Sequence, residues 1–375
     1  ISVGLLGLSF AWGFLSHRQR IFPFYSLQSA FRSLGWVESS TEIGLEARTS
    51  DGLAPLLSVP YSGSGRRQDA SGIAFADIQR MSPGFTLLTY DSASRSVAQL
   101  IDELGHVVYR WKITDIEQLQ LATVLPQGDL IAIDQGLALL RLDRRGRVVW
   151  RVSGAFHHSL ERLDDRLITL RSHARVHPRI HPEASVLDEE IVVLDLEGRE
   201  LDSTSILDSL LGSPFEFLLP APATPEIAAQ APGRALEELE LDLFHANQAL
   251  PLAGTALADS LGMDAVLVSL RNLNLLVAIS PERGAIWGWG PGRLVHPHHP
   301  TVLPNGQLLV FNNGRARSEL LEVDPKTGRA TWRYAADDFF TPYAGSCQRL
   351  PNGNTLVTES ASGRVFEITE DGERV

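Results

Sequence analysis

The chain of 375 residues has a single cysteine, Cys347. One cysteine excludes an internal disulfide and any cysteine-based metal cluster. It reads as a small buried apolar side chain. Basic charge is also scarce: 33 Lys and Arg stand against 45 Asp and Glu, for a net charge of −12. A general nucleic-acid binder needs a basic face, so no nucleic-acid partner is expected. Neither G-x-x-x-x-G-K-[ST] nor G-x-G-x-x-G between a strand and a helix occurs. P-loop and Rossmann sites therefore have no support. Long hydrophobic runs are scarce too. Ile1 to Leu15 is uncharged and largely apolar, but it is shorter than the ~20 residues a crossing helix needs.

That apolar run is nonetheless expected to belong to a single N-terminal membrane-anchor helix. A signal-peptide apolar region and an interfacial helix are the alternatives. His17, Arg18 and Arg20 follow it, a bias that by itself would hold the remainder inside. Aromatic residues from Phe22 to Trp36 suggest a surface-lying segment up to residue 37, or a helix packed on the domain. Residues 38–83 form a loop-rich lead-in, with Ser62-Gly63-Ser64-Gly65 at its most flexible point.

From Gly84 to Val375 one pattern repeats: an apolar strand, often Asp, a few residues, Gly, and a second apolar strand that often ends in an aromatic. The copies run Gln99 to Trp111, Leu139 to Trp150, Ile191 to Leu201, Leu275 to Trp287, Leu320 to Trp332 and Val365 to Val375. Each reads as a hairpin whose glycine takes positive φ. A further strand signature, such as Leu303-Pro-Asn-Gly306 before an apolar run, precedes several of them. The turn glycines Gly105, Gly146, Gly198, Gly284, Gly328 and Gly372 are 41, 52, 86, 44 and 44 residues apart. A four-stranded unit of ~40–45 residues is a propeller blade. The pattern predicts an all-β, six-bladed propeller of four-stranded blades over 84–375. The long interval leaves an insertion at about 202–242, rich in proline and then acidic.

In a propeller the innermost strands line the channel, so residues at one phase of successive blades converge. Histidines recur at such a phase: His157 and His158, then His245, then His296, His298 and His299. Three consecutive blades supply them. Arg271 and Asn247 stand close by in sequence, within or beside strand-like apolar runs.

The segments Phe156-HHSLERL, Asp242-LFHANQAL, Val268-SLRN, His298-HPTVLPNGQLLVFNNG and Gln348-RLPNGNTLVTES resemble the bacterial arylsulfotransferases. The resemblance covers roughly Gly84 to Val375. It implies a six-bladed enzyme that moves sulfuryl groups from aryl sulfates to phenols without a nucleotide donor. It also implies His298 as nucleophile, with His299 one position away as the alternate. His245, Asn247 and Arg271 would surround the sulfuryl group, and His158 or His157 would be a further polar ligand. Asn312 stands where the family is expected to carry Asp. The chemistry is self-consistent. Neutral imidazole is a good nucleophile near pH 7, a sulfohistidine splits the transfer into two steps, and Arg271 offers a planar fork of donors. Neither metal nor cofactor is needed.

Other readings compete. His296, His298 and His299 are types that bind zinc, copper or nickel, but no carboxylate pattern accompanies them and the adjacent prolines stiffen the loop. His173, His177 and His181 read as a loop, since Pro178 and Pro182 oppose a helix. Trp150, Trp287 and Trp332 recur at strand ends and read as packing, while Trp289 is kept as a candidate substrate contact. A quinone-dependent propeller dehydrogenase lacks its repeated tryptophan signature. The expected protein is a membrane-anchored, periplasmic arylsulfotransferase-like enzyme. The alternative is a non-catalytic propeller serving as a binding or scaffold subunit for a partner protein in a membrane complex, because fold alone does not imply function.

Overall fold

The computed structural model describes residues 72–92, 95–219, 240–262 and 264–375. The anchor and surface segment expected over 1–37, most of the lead-in and the middle of the insertion lie outside these residues. Among the described residues, no helix is long and apolar enough to cross a membrane.

Six sheets follow one another along the chain. The first holds β1 (Thr86–Ser92), β2 (Arg95–Ile101) and β3 (Val107–Trp111). The second is β4 (Leu119–Val124), β5 (Leu130–Asp134), β6 (Ala138–Leu142) and β7 (Val148–Ser153). The third is β8 (Ala155–Leu163), β9 (Arg166–Val176), β10 (Ser185–Asp195) and β11 (Glu200–Ser205), with β12 (Glu240–Leu241) paired in parallel to β10. The fourth is β13 (Ala246–Pro251), β14 (Val266–Leu270), β15 (Leu275–Ser280) and β16 (Gly284–Trp289). The fifth is β17 (Pro297–Val302), β18 (Leu308–Asn312), β19 (Glu319–Asp324) and β20 (Arg329–Tyr334). The sixth is β21 (Ser346–Arg349), β22 (Thr355–Glu359) and β23 (Arg364–Ile368). Neighbouring strands in each sheet are otherwise antiparallel, and β4, β8, β13, β17 and β21 touch in succession as the innermost strands. The molecule is a six-bladed β-propeller.

The middle strands are buried on both faces, which is why they read as unbroken apolar runs and not as alternation. In β5, Leu130 and Ala132 pack towards the first blade while Ile131 and Ile133 pack towards the third. In β18, Leu308 and Val310 face the fourth blade, and Leu309 and Phe311 face the sixth. Each apolar layer therefore belongs to two blades at once.

The repeated aromatics lace the outer rims together. Trp150 Nε1 donates to Leu196 O (3.0 Å), Trp287 Nε1 to Pro325 O (3.3 Å) and Trp332 Nε1 to Glu370 O (2.8 Å). Each indole reaches the hairpin turn of the next blade. The turns are those drawn from the sequence: the six turn glycines all have φ between +64° and +83°. At Gly146 the need is doubled, since a Cβ would lie 2.0 Å from Lys112 O.

The blades expected to be uniformly four-stranded differ at the two ends. Gly105 turns β2 into β3 as Gly146 turns β6 into β7, so the first sheet, among the described residues, lacks an innermost strand. In the sixth, a single bridge between Ile368 and Arg374 stands in the place of the outer strand. The lead-in meets this blade directly. Ser82 N donates to Glu367 Oε1 (2.7 Å), and Asn354 Nδ2 donates to Arg80 O (2.7 Å) and to Glu367 Oε1 (2.6 Å). Of the insertion, residues 202–205 complete β11, a short helix α1 (Ile206–Leu210) follows, and residues 240–241 form β12. A second short helix, α2 (Ala256–Leu261), lies between β13 and β14.

Candidate active site

The polar residues are brought to the innermost strands by two local distortions. The first is a break in pairing at one phase. Register shifts occur between His157 and Leu160 in β8, between Ala246 and Gln248 in β13, and between His298 and Thr301 in β17. His158, Asn247 and His299 thus sit in bulges, which re-aim side chains next to active sites. The second is backbone strain. His158, His245, His296 and His299 have φ of +55°, +46°, +53° and +44°. His245 and His296 stand immediately before β13 and β17, and His158 and His299 lie in the bulges. Left-handed backbone is costly for a side-chain-bearing residue and gathers at functional sites.

His298 is buried. Its Nδ1 lies 2.6 Å from Asn313 Oδ1 and 3.0 Å from His296 O, both acceptors. The Asn313 amide is itself immobilised, because Nδ2 donates to Thr341 O and Ala344 O, each at 2.8 Å. Ahead of the His298 backbone, Pro297 O accepts from Asn247 Nδ2 (2.8 Å) and Ser269 Oγ (3.0 Å). His299 turns to the next blade, where its Nδ1 meets Cys347 O at 3.0 Å.

His245 is gripped by one carboxylate: Asp242 Oδ1 accepts from its backbone N–H (2.8 Å), and Asp242 Oδ2 lies 2.7 Å from its Nδ1. The ring of His158 meets that of His245 edge to face, with centroids 5.0 Å apart. His157 Nδ1 lies 3.0 Å from His158 Nδ1, and its Nε2 lies 3.7 Å from Glu189 Oε1. Arg271 closes the group. Its backbone N–H donates to His245 O (3.3 Å), and its Nη1 donates to Asn272 Oδ1 (3.1 Å).

Burial sets the charge state. It pushes His298 down to about 3, with the Arg271 guanidinium adding to the effect. His296 falls to about 4, again by burial and then Arg271. His158 is driven well below the ordinary range by burial and then by His245, His157, His298 and Arg271. His299 is lowered by burial, partly opposed by its bond to Cys347 O. These four rings are neutral at pH 7. His245, His298 and Arg271 act on His158, and Arg271 and His245 act on His298, which marks these side chains as one group. Burial raises the Cys347 thiol, which leaves it inert.

The structure brings His157, His158, His245, Asn247, Arg271 and His298 together as neighbours. Asn247 gives one N–H of Nδ2 to Pro297 O, so it positions the His298 loop as well. One assignment changes. Trp289 lies in β16, the outermost strand of its blade, and Nε1 donates to Gly328 O (3.2 Å) in the next blade's turn. It belongs to the rim lacing and not to the histidine group. Asn312, the departure from the expected Asp, braces the loop by accepting from Val295 N (2.7 Å). Asp242, Asn313 and Glu189 were not singled out. Asp242 and Asn313 lie inside the quoted motifs, three residues before His245 and next to Asn312. Among the described residues, no three or more of His, Cys, Asp and Glu are grouped to hold a metal ion.

Fold and site together define a propeller with histidines on and just before its innermost strands and Arg271 at the end of a neighbouring second strand. The model of the arylsulfotransferase (ASST) family matches residues 121–375, and the chain belongs to that family. No curated protein matches it in sequence. Among solved structures, a protein of unknown function from Bacteroides caccae is 15% identical with a TM-score of 0.51, over 78% of this chain and 93% of that one. A streptogramin B lyase is 10% identical (TM-score 0.46, 81% of this chain and 84% of that one). Virginiamycin B lyase from Staphylococcus aureus is 8% identical (TM-score 0.45, 81% and 86%). Only the first is close enough to speak to the fold.

Proposed function

We propose that the chain transfers a sulfuryl group from an aryl sulfate to a phenol through a sulfohistidine on His298. Membership of the arylsulfotransferase family supports the general activity. The observation that carries the mechanism is the fixed tautomer of His298. Its Nδ1 faces two acceptors, and the Asn313 amide cannot turn over because both its Nδ2 bonds are to carbonyls. The ring proton therefore sits on Nδ1, and Nε2 keeps its lone pair. With protonation pushed down to about 3, that pair is available across the neutral range.

In the first half-reaction Nε2 attacks sulfur. The S–N bond forms as the S–O bond to the ring breaks, and the phenolate leaves with the electron pair. Arg271 supplies donors for the sulfuryl oxygens. His245, entering the step as an imidazolium paired through Nδ1 with Asp242, protonates the leaving oxygen from Nε2 and is left neutral. It takes the proton back from the incoming phenol in the second half-reaction, since donor and acceptor are both aryl oxygens and the two halves mirror each other. A weakly basic His298 nitrogen is also a good leaving group in that second step.

The test is to incubate the purified protein with a chromogenic aryl sulfate and a phenol acceptor. Release of phenol that depends on His298 supports the reading. No turnover and no adduct from several donors, with the fold intact, would favour a binding role in a membrane complex. Anchoring with a periplasmic propeller belongs to the same proposal and rests on the apolar run Ile1–Leu15. Retention in membranes at alkaline pH supports the anchor, and release of intact protein overturns it.

A further inference from the structure

The innermost strands carry their irregularity into a fourth blade. In β4 the register shifts between Leu119 and Leu121, so Gln120 is bulged. This is the phase at which β8, β13 and β17 bulge at His158, Asn247 and His299. Gln120 is half-buried. Its Oε1 accepts from the backbone N–H of His158 at 2.6 Å. That bond fixes the amide: the oxygen faces His158, and Nε2 with its two N–H groups faces away from it. Among the described residues, nothing accepts from Nε2.

Several other donors of the group are already engaged, at least in part. Asn247 Nδ2 is held by Pro297 O, His298 Nδ1 by Asn313 and His296 O, and His299 Nδ1 by Cys347 O. A sulfuryl group brings oxygens that need donors besides Arg271, and an uncommitted amide one residue contact from His158 meets that need. We propose that Gln120 is a further substrate-binding residue, donating from Nε2 to a sulfuryl oxygen of the aryl sulfate. This rests on the function proposed above. It adds a donor from the second blade to those that the sequence led one to expect.

Gln120→Glu isolates the donor. It keeps an oxygen for the His158 N–H and replaces the amide donors by a carboxylate. Binding of 4-nitrophenyl sulfate, inorganic sulfate and a phenol acceptor to the full chain is measured calorimetrically, with thermal unfolding as the check on folding. Gln120→Glu should weaken both sulfates about tenfold or more near pH 7.5, equivalent to about 1.4 kcal/mol. The loss should shrink as the pH falls and the carboxyl protonates, and phenol affinity should be unchanged. If Gln120→Glu does not fold, Gln120→Met decides, and it too must weaken the sulfates but not the phenol. Sulfate affinities equal to wild type, or an equal loss for sulfates and phenol, overturn the proposal, as does a wild-type protein that binds neither sulfate. Gln120-dependent sulfate binding in a wild-type protein that forms no covalent adduct would leave Gln120 standing and overturn the transfer mechanism instead.

Discussion

Replacing Asn313 by Asp should convert a silent ring into one that titrates in the working range. In the wild type, His298 Nδ1 donates to a neutral amide oxygen 2.6 Å away, and the ring protonates only at about 3. A carboxylate in the same place puts a negative charge next to the ring. At a charge separation of about 4 Å and an effective dielectric constant of about 20, the attraction is about 4 kcal/mol. At about 1.4 kcal/mol for each tenfold change, the ring's protonation would move up by about three on the pH scale. The His298 contribution to kcat/KM would then fall away between about pH 7 and 5, where the wild type has no such loss from this ring. The variant also turns a carboxylate towards Thr341 O and Ala344 O, which now accept from Nδ2. Losing those bonds should cost about 1–3 kcal/mol of stability. The assay is the pH dependence of kcat/KM for an aryl sulfate, paired with urea denaturation at each pH. A destabilised Asn313→Asp protein whose profile matches the wild type would refute the tautomer argument.

Arg271→Lys keeps the charge but loses the planar fork, and should lower kcat/KM about a hundredfold; unchanged kinetics would remove Arg271 from the sulfuryl site. Stability should depend on pH through the buried histidines. His298 and His296 protonate at about 3 and about 4 when folded, against an ordinary 6.5. The unfolded chain therefore binds more protons between those values, so the stability they contribute is full above 6.5 and drains as the pH falls. From pH 6.5 to 5 the loss should be up to about 2 kcal/mol for each ring, and a flat denaturation midpoint over that interval would contradict it. Asn354→Leu should cost about 1–3 kcal/mol in urea denaturation, because it strips partners from Arg80 O and the buried Glu367 carboxylate; a neutral result would mean that the lead-in does not brace the last blade.

The fold was largely legible because its punctuation is local. An Asp-x-x-Gly turn, such as Asp143 to Gly146, needs only its own residues to specify a hairpin, and both-face burial writes itself as runs such as Leu130 to Ile133. Uniform four-stranded blades were not found at the ends, since strand count depends on partners from distant segments and not on a motif. The histidine set was legible through its phase. What the sequence does not display is how pairing breaks. The shift that frees Gln120 or Asn247 is a property of two strands together, and the left-handed backbone of four histidines has no composition signal. Hydrogen bonding then adds roles within the visible set: one N–H of Asn247 braces Pro297 O. Trp289 differed from the other tryptophans only by position, and its carbonyl partner in the next blade returned it to the same job.

The central claim is that His298 carries the sulfuryl group. It is tested most directly by rapid acid-free quenching of the protein with an aryl sulfate, followed by intact-mass and peptide mass analysis. The account predicts the gain of one sulfuryl group on the peptide holding His298, its discharge on adding a phenol, and its absence in His298→Ala. A wild-type protein that turns over without any adduct, or with the sulfuryl group on another residue while His298→Ala remains active, would contradict it.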